Sequence, residues 1–391
     1  MKLLQFSHVN YIFHGACLLA TIGYGINSVY DFVQNHDLTT ITFKTFHNDD
    51  ESIYPSLSMC FNAPFLKENL IQSANLSRTI EYRRYLIGKA PTNETLNNIN
   101  FEDVSFQIND FLIKAVIQFK YGGRLSKRRI QHDEIHIQSW GRIYQITKCF
   151  TFDVPYLEKA LAKSMSIYFN TSVYPNSQRP ADGGNPGGLQ LFAHYPQQFG
   201  RSLKSMMRYW PKRNKSQGYK MMLYLKELEI VRMRNKPQAP CTNSPPYDDV
   251  LVQTIINSLN CTPPYFTSSK EMQNCKTKET LRKASIQFTN IFYGVEKLNP
   301  PCRQVLKIDS SYREQTAGEG LDKGLSNDEV LLKVYYRSHT YREIGQIRAY
   351  NAMALFGNVG GFIGMLLGYA FVQIPMLVHT LFESWKDRTL L

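Results

Sequence analysis

Five glycines near the C-terminus carry the densest chemical signal in the sequence. Gly357, Gly360, Gly361, Gly364 and Gly368 stand at offsets of 0, 3, 4, 7 and 11. At about 100° per residue those offsets put all five on one face of an α-helix. A bare face of this kind lets another helix approach closely, and G-x-x-x-G occurs three times in the run. It also lets several copies of one helix gather around an axis and present backbone carbonyls to an ion, since irregular backbone at membrane depth persists only where it is buried or lines a watery cavity. Periodicity alone leaves both readings open.

The cysteines are the second signal. Cys17 stands apart, while Cys60, Cys149, Cys241, Cys261, Cys275 and Cys302 lie in the long middle segment. An even number in one compartment points to three disulfides and an oxidising environment. No C-x-x-C or Cys/His spacing suits zinc, so no metal site is expected. Five N-x-S/T sequons, at Asn75, Asn93, Asn170, Asn214 and Asn260, share that segment and are glycosylation candidates. Catalytic motifs are missing: there is no G-x-S-x-G, no H-E-x-x-H and no Walker sequence. The glycine-rich stretch from Arg179 to Gly188 has no Lys or Ser/Thr where a phosphate loop needs them, and His47 to Glu51 is a solvated loop. An enzyme is not expected.

Two apolar stretches must position these residues. Leu3 to Tyr30 contains no Asp, Glu, Lys or Arg, nor does Ala349 to Phe382. Each exceeds the roughly 20 residues an α-helix needs to cross a bilayer core. A cleaved signal peptide would begin at Lys2 and run through Leu18-Leu19-Ala20, but the apolar character extends further and closes on Tyr24, Tyr30 and Phe32, which suit a membrane interface. The second stretch is too long for a buried core helix. The mean hydropathy of −0.33 over 391 residues excludes a bundle made mostly of spans, while leaving room for two. The expected layout is a short cytoplasmic N-terminus (1–9), a first span (10–32), a large extracellular domain (33–346), a second span (347–382) and a short cytoplasmic C-terminus (383–391). The net charge of +13 could mark a nucleic-acid binder. Its basic residues are scattered, with modest clusters at Lys127-Arg128-Arg129 and from Arg201 to Lys220, and a solvated basic surface is the simpler reading.

Periodicity types several parts of the middle segment. Val330, Leu332, Val334 and Tyr336 alternate with Lys333, Tyr335 and Arg337 as a half-buried strand does, and Met165, Ile167 and Phe169 read the same way. Ile108, Phe111, Leu112, Ala115 and Phe119 recur at helical spacing, with Gly122-Gly123 as the stop. Val252, Ile255, Ile256 and Leu259 mark a second helix, led by Asp248-Asp249. A third runs from Lys278 to Tyr293.

With these elements placed, four motifs in order resemble the degenerin/epithelial sodium channel family, which includes acid-sensing ion channels. The run from Asn358 to Pro375 resembles the family's second transmembrane segment. Tyr54-Pro-Ser-Leu-Ser-Met-Cys60 resembles its F-P-A-V-T-x-C signature, and Lys148-Cys-Phe-Thr-Phe152 its G-x-C-Y-T-F strand. Cys261-Thr-Pro-Pro-Tyr265, Cys275 and Pro300-Pro-Cys302 resemble the cysteine-rich thumb of its invertebrate members. The matches extend from residue 11 to about residue 378.

The resemblance implies a homotrimeric or heterotrimeric cation channel of the plasma membrane, conducting Na⁺, sensitive to amiloride and needing no cofactor. The implied fold is two transmembrane helices flanking an α+β, disulfide-containing extracellular domain with a strand-rich palm, fingers and thumb. Thumb helices are expected near 247–293 and palm strands near 54–60, 149–154 and 330–337. Gly368-Tyr369-Ala370 matches the selectivity filter, and Gly357 the small residue near the outer mouth, where Asn358, Gly360, Gly361 and Gly364 line the gate. Cys60 and Cys149 would be paired; the other four allow three pairings, with Cys241–Cys302 and Cys261–Cys275 preferred. Several positions depart from the pattern. Ala370 removes a filter hydroxyl, Asn358 replaces an outer-pore acid, and Gln373 and Pro375 replace an acidic stretch. His14-Gly15 lies inside the first span, where the family's cytoplasmic gating motif has no room. Rival readings are a nucleotide-gated two-span channel, whose extra cysteines and paired lysines are missing here, and a non-conducting two-span receptor or accessory subunit.

Overall fold

The computed structural model describes residues 2–34, 37–45, 56–62, 79–91, 94–121, 123–143, 145–152, 162–170, 189–194, 219–242, 247–266, 273–293, 299–316, 329–336, 340–349 and 351–367, with single positions between them (64–66, 69, 71–72, 75, 325–326, 379 and 382). The chain divides into two compact units. One joins Met1–Thr40 with Gln346–Leu391, and the other is Ile41–Gly345.

The first unit contains helix α1 (Lys2–Gln34) and, after the larger unit, the last described helix, Ala352–Leu367. Within α1 the stretch Gly15–Gln34 is long and apolar enough to cross a membrane; among the described residues it alone meets that test. The Ala352–Leu367 helix contains no charged residue but, at 16 residues, is shorter.

The larger unit is built around two sheets. Strands β1 (Asp37–Thr45), β3 (Leu112–Tyr121), β4 (Arg124–Arg129), β7 (Ala162–Asn170), β9 (Tyr219–Arg232), β10 (Arg303–Thr316), β11 (Glu329–Tyr336) and β12 (Thr340–Arg348) form the first. Its order is β1-β12-β9-β11-β7-β3-β4, with β10 on β9. Strands β2 (Ser56–Asn62), β5 (Ile135–Arg142), β6 (Gln145–Phe152) and β8 (Leu189–His194) form the second, in the order β5-β6-β2-β8. Alternation decides what each face touches, because successive side chains of a strand point to opposite sides. Leu57, Met59, Phe61, Phe150 and Phe152 of the small sheet share one buried cluster with Ala115, Ile117, Ile167, Leu332 and Val334 of the large sheet, so the sheets pack face to face. On the other side of the small sheet, Cys60, Cys149, Trp140 and Phe192 share a second cluster with residues of helices α2 (Thr79–Leu86), α6 (Tyr247–Leu259) and α7 (Lys278–Tyr293). Three short helices lie between α2 and β3: α3 (Glu94–Asn97), α4 (Phe101–Val104) and α5 (Ile108–Phe111).

The structure corrects the helix expected from Ile108 to Phe119. Helix α5 ends at Phe111, and Leu112 is already extended. Ala115 and Phe119 satisfy a period of four, but with Ile117 they also satisfy a period of two, and Ala115 and Ile117 are both buried. The ladder decides, since β3 pairs antiparallel with β4 on one edge and β7 on the other. The expected stop is a hairpin turn between Tyr121 and Arg124. Gly123 takes a left-handed φ of 82° there, the conformation that tight hairpins require; Gly122 lies outside the described residues. The strands assigned to one palm by resemblance also divide, with β2 and β6 in the small sheet and β11 in the large one. The strands at 162–170 and 329–336 and the helices at 247–259 and 278–293 lie where periodicity placed them.

Candidate functional site

Helix α8 (Ala352–Leu367) begins with a local cap. The Asn351 side chain accepts a hydrogen bond from the Ala354 amide at 2.7 Å, satisfying one of the donors a helix N-terminus leaves open. The helix carries Gly357, Asn358, Gly360, Gly361 and Gly364. A methyl group placed on Gly357 or on Gly361 would meet no atom within 4 Å, and Gly357, Asn358, Gly361 and Gly364 are all exposed. The helix meets α1 elsewhere. Phe362 stacks on Tyr24 with ring centroids 4.2 Å apart, and it projects about 140° around the helix from Gly357. Among the described residues, nothing in this chain fills the glycine face at Gly357 or Gly361.

A clasp joins the C-terminal end of α1 to the residues just before α8. Arg348, the last residue of β12, donates from Nη2 to the Phe32 carbonyl at 2.7 Å and lies 3.9 Å from the Phe32 ring centroid. An Arg over an aromatic face gains electrostatic attraction in addition to its hydrogen bond. Sequence reading missed this pair, because Arg348 served there only to mark where the apolar stretch begins. Gly368, Tyr369 and Ala370, expected from the resemblance to form the filter, lie outside the described residues, as do Gln373 and Pro375.

Three disulfides brace the larger unit: Cys60–Cys149, Cys241–Cys302 and Cys261–Cys275. This is the pairing the family resemblance prefers. Cys60 and Cys149 are direct cross-strand partners on β2 and β6. Among the described residues Cys17, within α1, is the free thiol. Of the sequons, Asn75 and Asn260 are exposed and hold left-handed backbones, with φ of 52° and 53°. The Asn260 amide donates to the Ile256 carbonyl and closes α6, a role in which Asn is tolerated. Asn170 is half-buried at the end of β7. Asn93 and Asn214 lie outside the described residues.

Two buried polar clusters escaped the sequence reading. On β6, Lys148 is fully buried and donates from Nζ to Glu102 Oε2 at 2.6 Å and to Ser105 Oγ at 2.8 Å. Its Nζ lies 5.7 and 5.9 Å from the rings of Phe101 and Phe150. Burial pulls the Lys148 pKa down, and Glu102 opposes that shift. Elsewhere in the small sheet, Ser58 Oγ lies 2.6 Å from His194 Nε2 and 2.5 Å from Thr151 Oγ1, all three side chains buried. A Ser–His contact suggests nucleophilic chemistry, but Ser58 is 0% exposed and no substrate can reach it. Both clusters pair buried polar groups, although Glu102 Oε1 is left without a hydrogen-bond partner among the described residues. The signal for Lys148 was its place beside Cys149 in the K-C-F-T-F motif; His194 had none. Among the described residues no group of three His, Cys, Asp or Glu side chains could hold a metal ion.

The profile of one protein family, described as "amiloride-sensitive sodium channel", matches residues 4–374. Acid-sensing ion channel 2 from Homo sapiens, Rattus norvegicus and Mus musculus is 27% identical to this chain over 84 residues, 22% of this chain. The matched stretch spans 16% of the length of those relatives. Among solved structures, a cryo-EM structure of a proton-activated chloride channel aligns over 95% of this chain and 99% of its own, at 6% identity and a TM-score of 0.29, too low to indicate a shared fold.

Proposed function

Since this chain belongs to the amiloride-sensitive sodium channel family, we propose that it is one subunit of a trimeric, sodium-conducting and amiloride-sensitive channel of the plasma membrane. Members of the family are ion channels rather than enzymes, and they act as oligomers. In this reading α1 and a second span over 347–382, whose outer part is α8, cross the bilayer. Residues 33–346 face the outside, and both termini are cytoplasmic. Three disulfides in the larger unit favour that side, because such bonds persist in oxidising compartments. The exposed asparagines Asn75 and Asn260 favour it as glycan acceptors.

The observation that carries the proposal is the open glycine face of α8. A helix surface without side chains at Gly357, Gly360, Gly361 and Gly364, uncovered by its own chain at Gly357 and Gly361, is what a ring of like helices needs to close around an axis. Gly357 and Asn358 then stand at the outer mouth as the gate. Gly368, Tyr369 and Ala370 form the constriction, where backbone carbonyls replace the water around a permeant Na⁺. Those carbonyls remain although Ala370 carries no hydroxyl. The other subunits are further copies of this chain or related chains. Protons, peptides, stretch and constitutive opening are all compatible with this architecture; Asn358, in place of an acid, weighs against protons.

Voltage clamp of cells expressing the chain, alone and with related subunits, tests the reading. An inward sodium current blocked by amiloride is expected. A chain that reaches the surface yet passes no such current under pH steps, stretch or co-expression would make it a non-conducting receptor.

A further inference from the structure

We propose that the outward face of the β4-β3-β7-β11 end of the large sheet is a docking surface for a linear sulfated polysaccharide. The proposal rests on the reading above that this unit is extracellular. Residues directly opposite on paired strands share a face. On β3, Lys114 and Lys120 point away from the sandwich, opposite in phase to the buried Ala115 and Ile117. On β4, Lys127 faces Gln118 and Arg129 faces Val116, which puts both cations on the same side. The side continues across β7, where Lys114 is opposite Tyr168, and onto β11, where Leu331 is opposite Tyr168 and Lys333 follows two residues on.

Lys114, Lys120, Lys127 and Arg129 are exposed and Lys333 is half-buried. Among the described residues none of the five has a carboxylate partner. The positions between them are neutral: Val116 and Gln118, half-buried on β3, and Ser164 and Ser166, buried on β7, so the exposed charge lies mainly along β3 and β4. The first acid on this face is Glu329 at the end of β11, whose carboxylate already accepts from the Ser326 amide at 3.0 Å. The hairpin's other Arg, Arg128, faces Ile117 and is held by two hydrogen bonds to Glu134 at 2.7 and 2.8 Å, so it does not add to the face. Neighbouring cations of this row, such as Lys127 and Arg129, repel, and a polyanion relieves that repulsion.

The spacing selects the kind of anion. Lys114 and Lys120 lie about 20 Å apart along one strand, with Lys127 and Arg129 about 7 Å apart beside them. A single phosphate needs donors that converge on one point, whereas this row suits a chain carrying charge at intervals. Tyr168 and Tyr335 lie beneath Lys114 and Lys333, with Nζ-to-centroid distances of 4.4 and 5.0 Å, and widen the surface without adding a pocket. An acidic peptide would want apolar anchors. Among the described residues of β3 and β4 the large exposed apolar side chains are Ile113, in the bulge beside Lys114, and Leu125, opposite Lys120; about 20 Å apart, they do not form one anchor. Nucleic acid is excluded by the compartment, and sulfated polysaccharide is the polyanion of the cell exterior.

The test is retention of the detergent-solubilised full chain on immobilised heparin and, in parallel, on polyglutamate. Retention on heparin to clearly higher salt is expected. The Lys127→Gln/Arg129→Gln double variant should elute earlier, with the slope of log affinity against log salt reduced by about two, one for each cation removed. Lys114→Gln/Lys120→Gln serves as a second pair should the first disturb folding. Lys276→Gln/Lys278→Gln, which removes two exposed charges elsewhere, should change nothing. Loss of retention on heparin, equal retention on polyglutamate, or an equal shift in the control pair would overturn the proposal. Biotinylation of intact cells tests the compartment separately: an inaccessible domain would sink the extracellular reading while leaving the column result to stand.

Discussion

Replacing Gly357 by Val separates packing within the chain from packing between chains. Within one chain a Cβ placed there meets no atom within 4 Å, which leaves open space where the new side chain begins. It should even favour the helix by about 0.3–0.5 kcal/mol, the difference between Gly and Val in a helix interior. Any functional penalty must therefore come from outside the subunit. In the closed state of the proposed trimer three copies of this position would crowd the axis, and overpacking a close-packed site costs about 1–3 kcal/mol. That cost falls on the closed state, because opening draws the helices apart. A bias of this size multiplies the open-to-closed ratio by about 5- to 150-fold. Whole-cell recording at rest, normalised to surface-biotinylated protein, reads the change directly. Gly25→Val is the matched control, since a side chain there on α1 also meets nothing within 4 Å. A surface-delivered Gly357→Val channel with wild-type resting current would refute the pore assignment of the glycine face. So would a Gly25→Val channel that opens equally.

Four further outcomes are expected. Cys60→Ala and Cys149→Ala should each destabilise the larger unit by about 4–5 kcal/mol, the chain-entropy value for a loop of this length, and the double variant should be no worse than either; additive losses on proteolysis of the solubilised chain would mean the two thiols are not partners. Gly141→Ala should cost about 1–3 kcal/mol in thermal unfolding, because its methyl group would enter the buried ring of Tyr265, while Tyr265→Leu in the same background should recover part of the loss. Ala370→Ser should change the Na⁺/K⁺ permeability ratio with little effect on open probability, as read from reversal potentials, since in the proposed channel it alters the constriction and not the outer crossing. The hydrogen bonds from Arg128 hold the Glu134 carboxyl below its usual pKa; the stability they contribute is therefore complete above the ordinary Glu value of about 4.3 and is lost as pH falls through the depressed one. Melting curves of wild type and Glu134→Gln should thus differ fully above about pH 4.3 and draw together as pH falls through the depressed pKa.

The sequence by itself determined what depends on local composition and short period. The apolar stretch at the N-terminus needed no tertiary information, because a charge-free run of that length has few other fates. Strand β11 and helices α6 and α7 were legible for a similar reason, since each buries a single face and so keeps one period along its length. The glycine face of α8 can be drawn on a helical wheel from the residue spacing alone. What it is for cannot, because packing and pore make the same demand on the residues.

Tertiary structure decided the remainder. Ala115 and Phe119 satisfy two periods at once, and only the ladders to β4 and β7 chose the strand over the helix. Lys148 and Glu102, 46 residues apart, meet because β6 passes beside α4, and the burial that shifts the Lys148 pKa exists only once the chain has folded around it. The basic cluster at Lys127-Arg128-Arg129 shows the same limit within three residues. A linear sequence contains three equivalent cations, but strand alternation turns Arg128 to Glu134 and sends Lys127 and Arg129 to the other face, beside Lys114 and Lys120. Charge is a property of composition; whether it is paired or presented depends on which side of a sheet it occupies, and that is settled by long-range pairing.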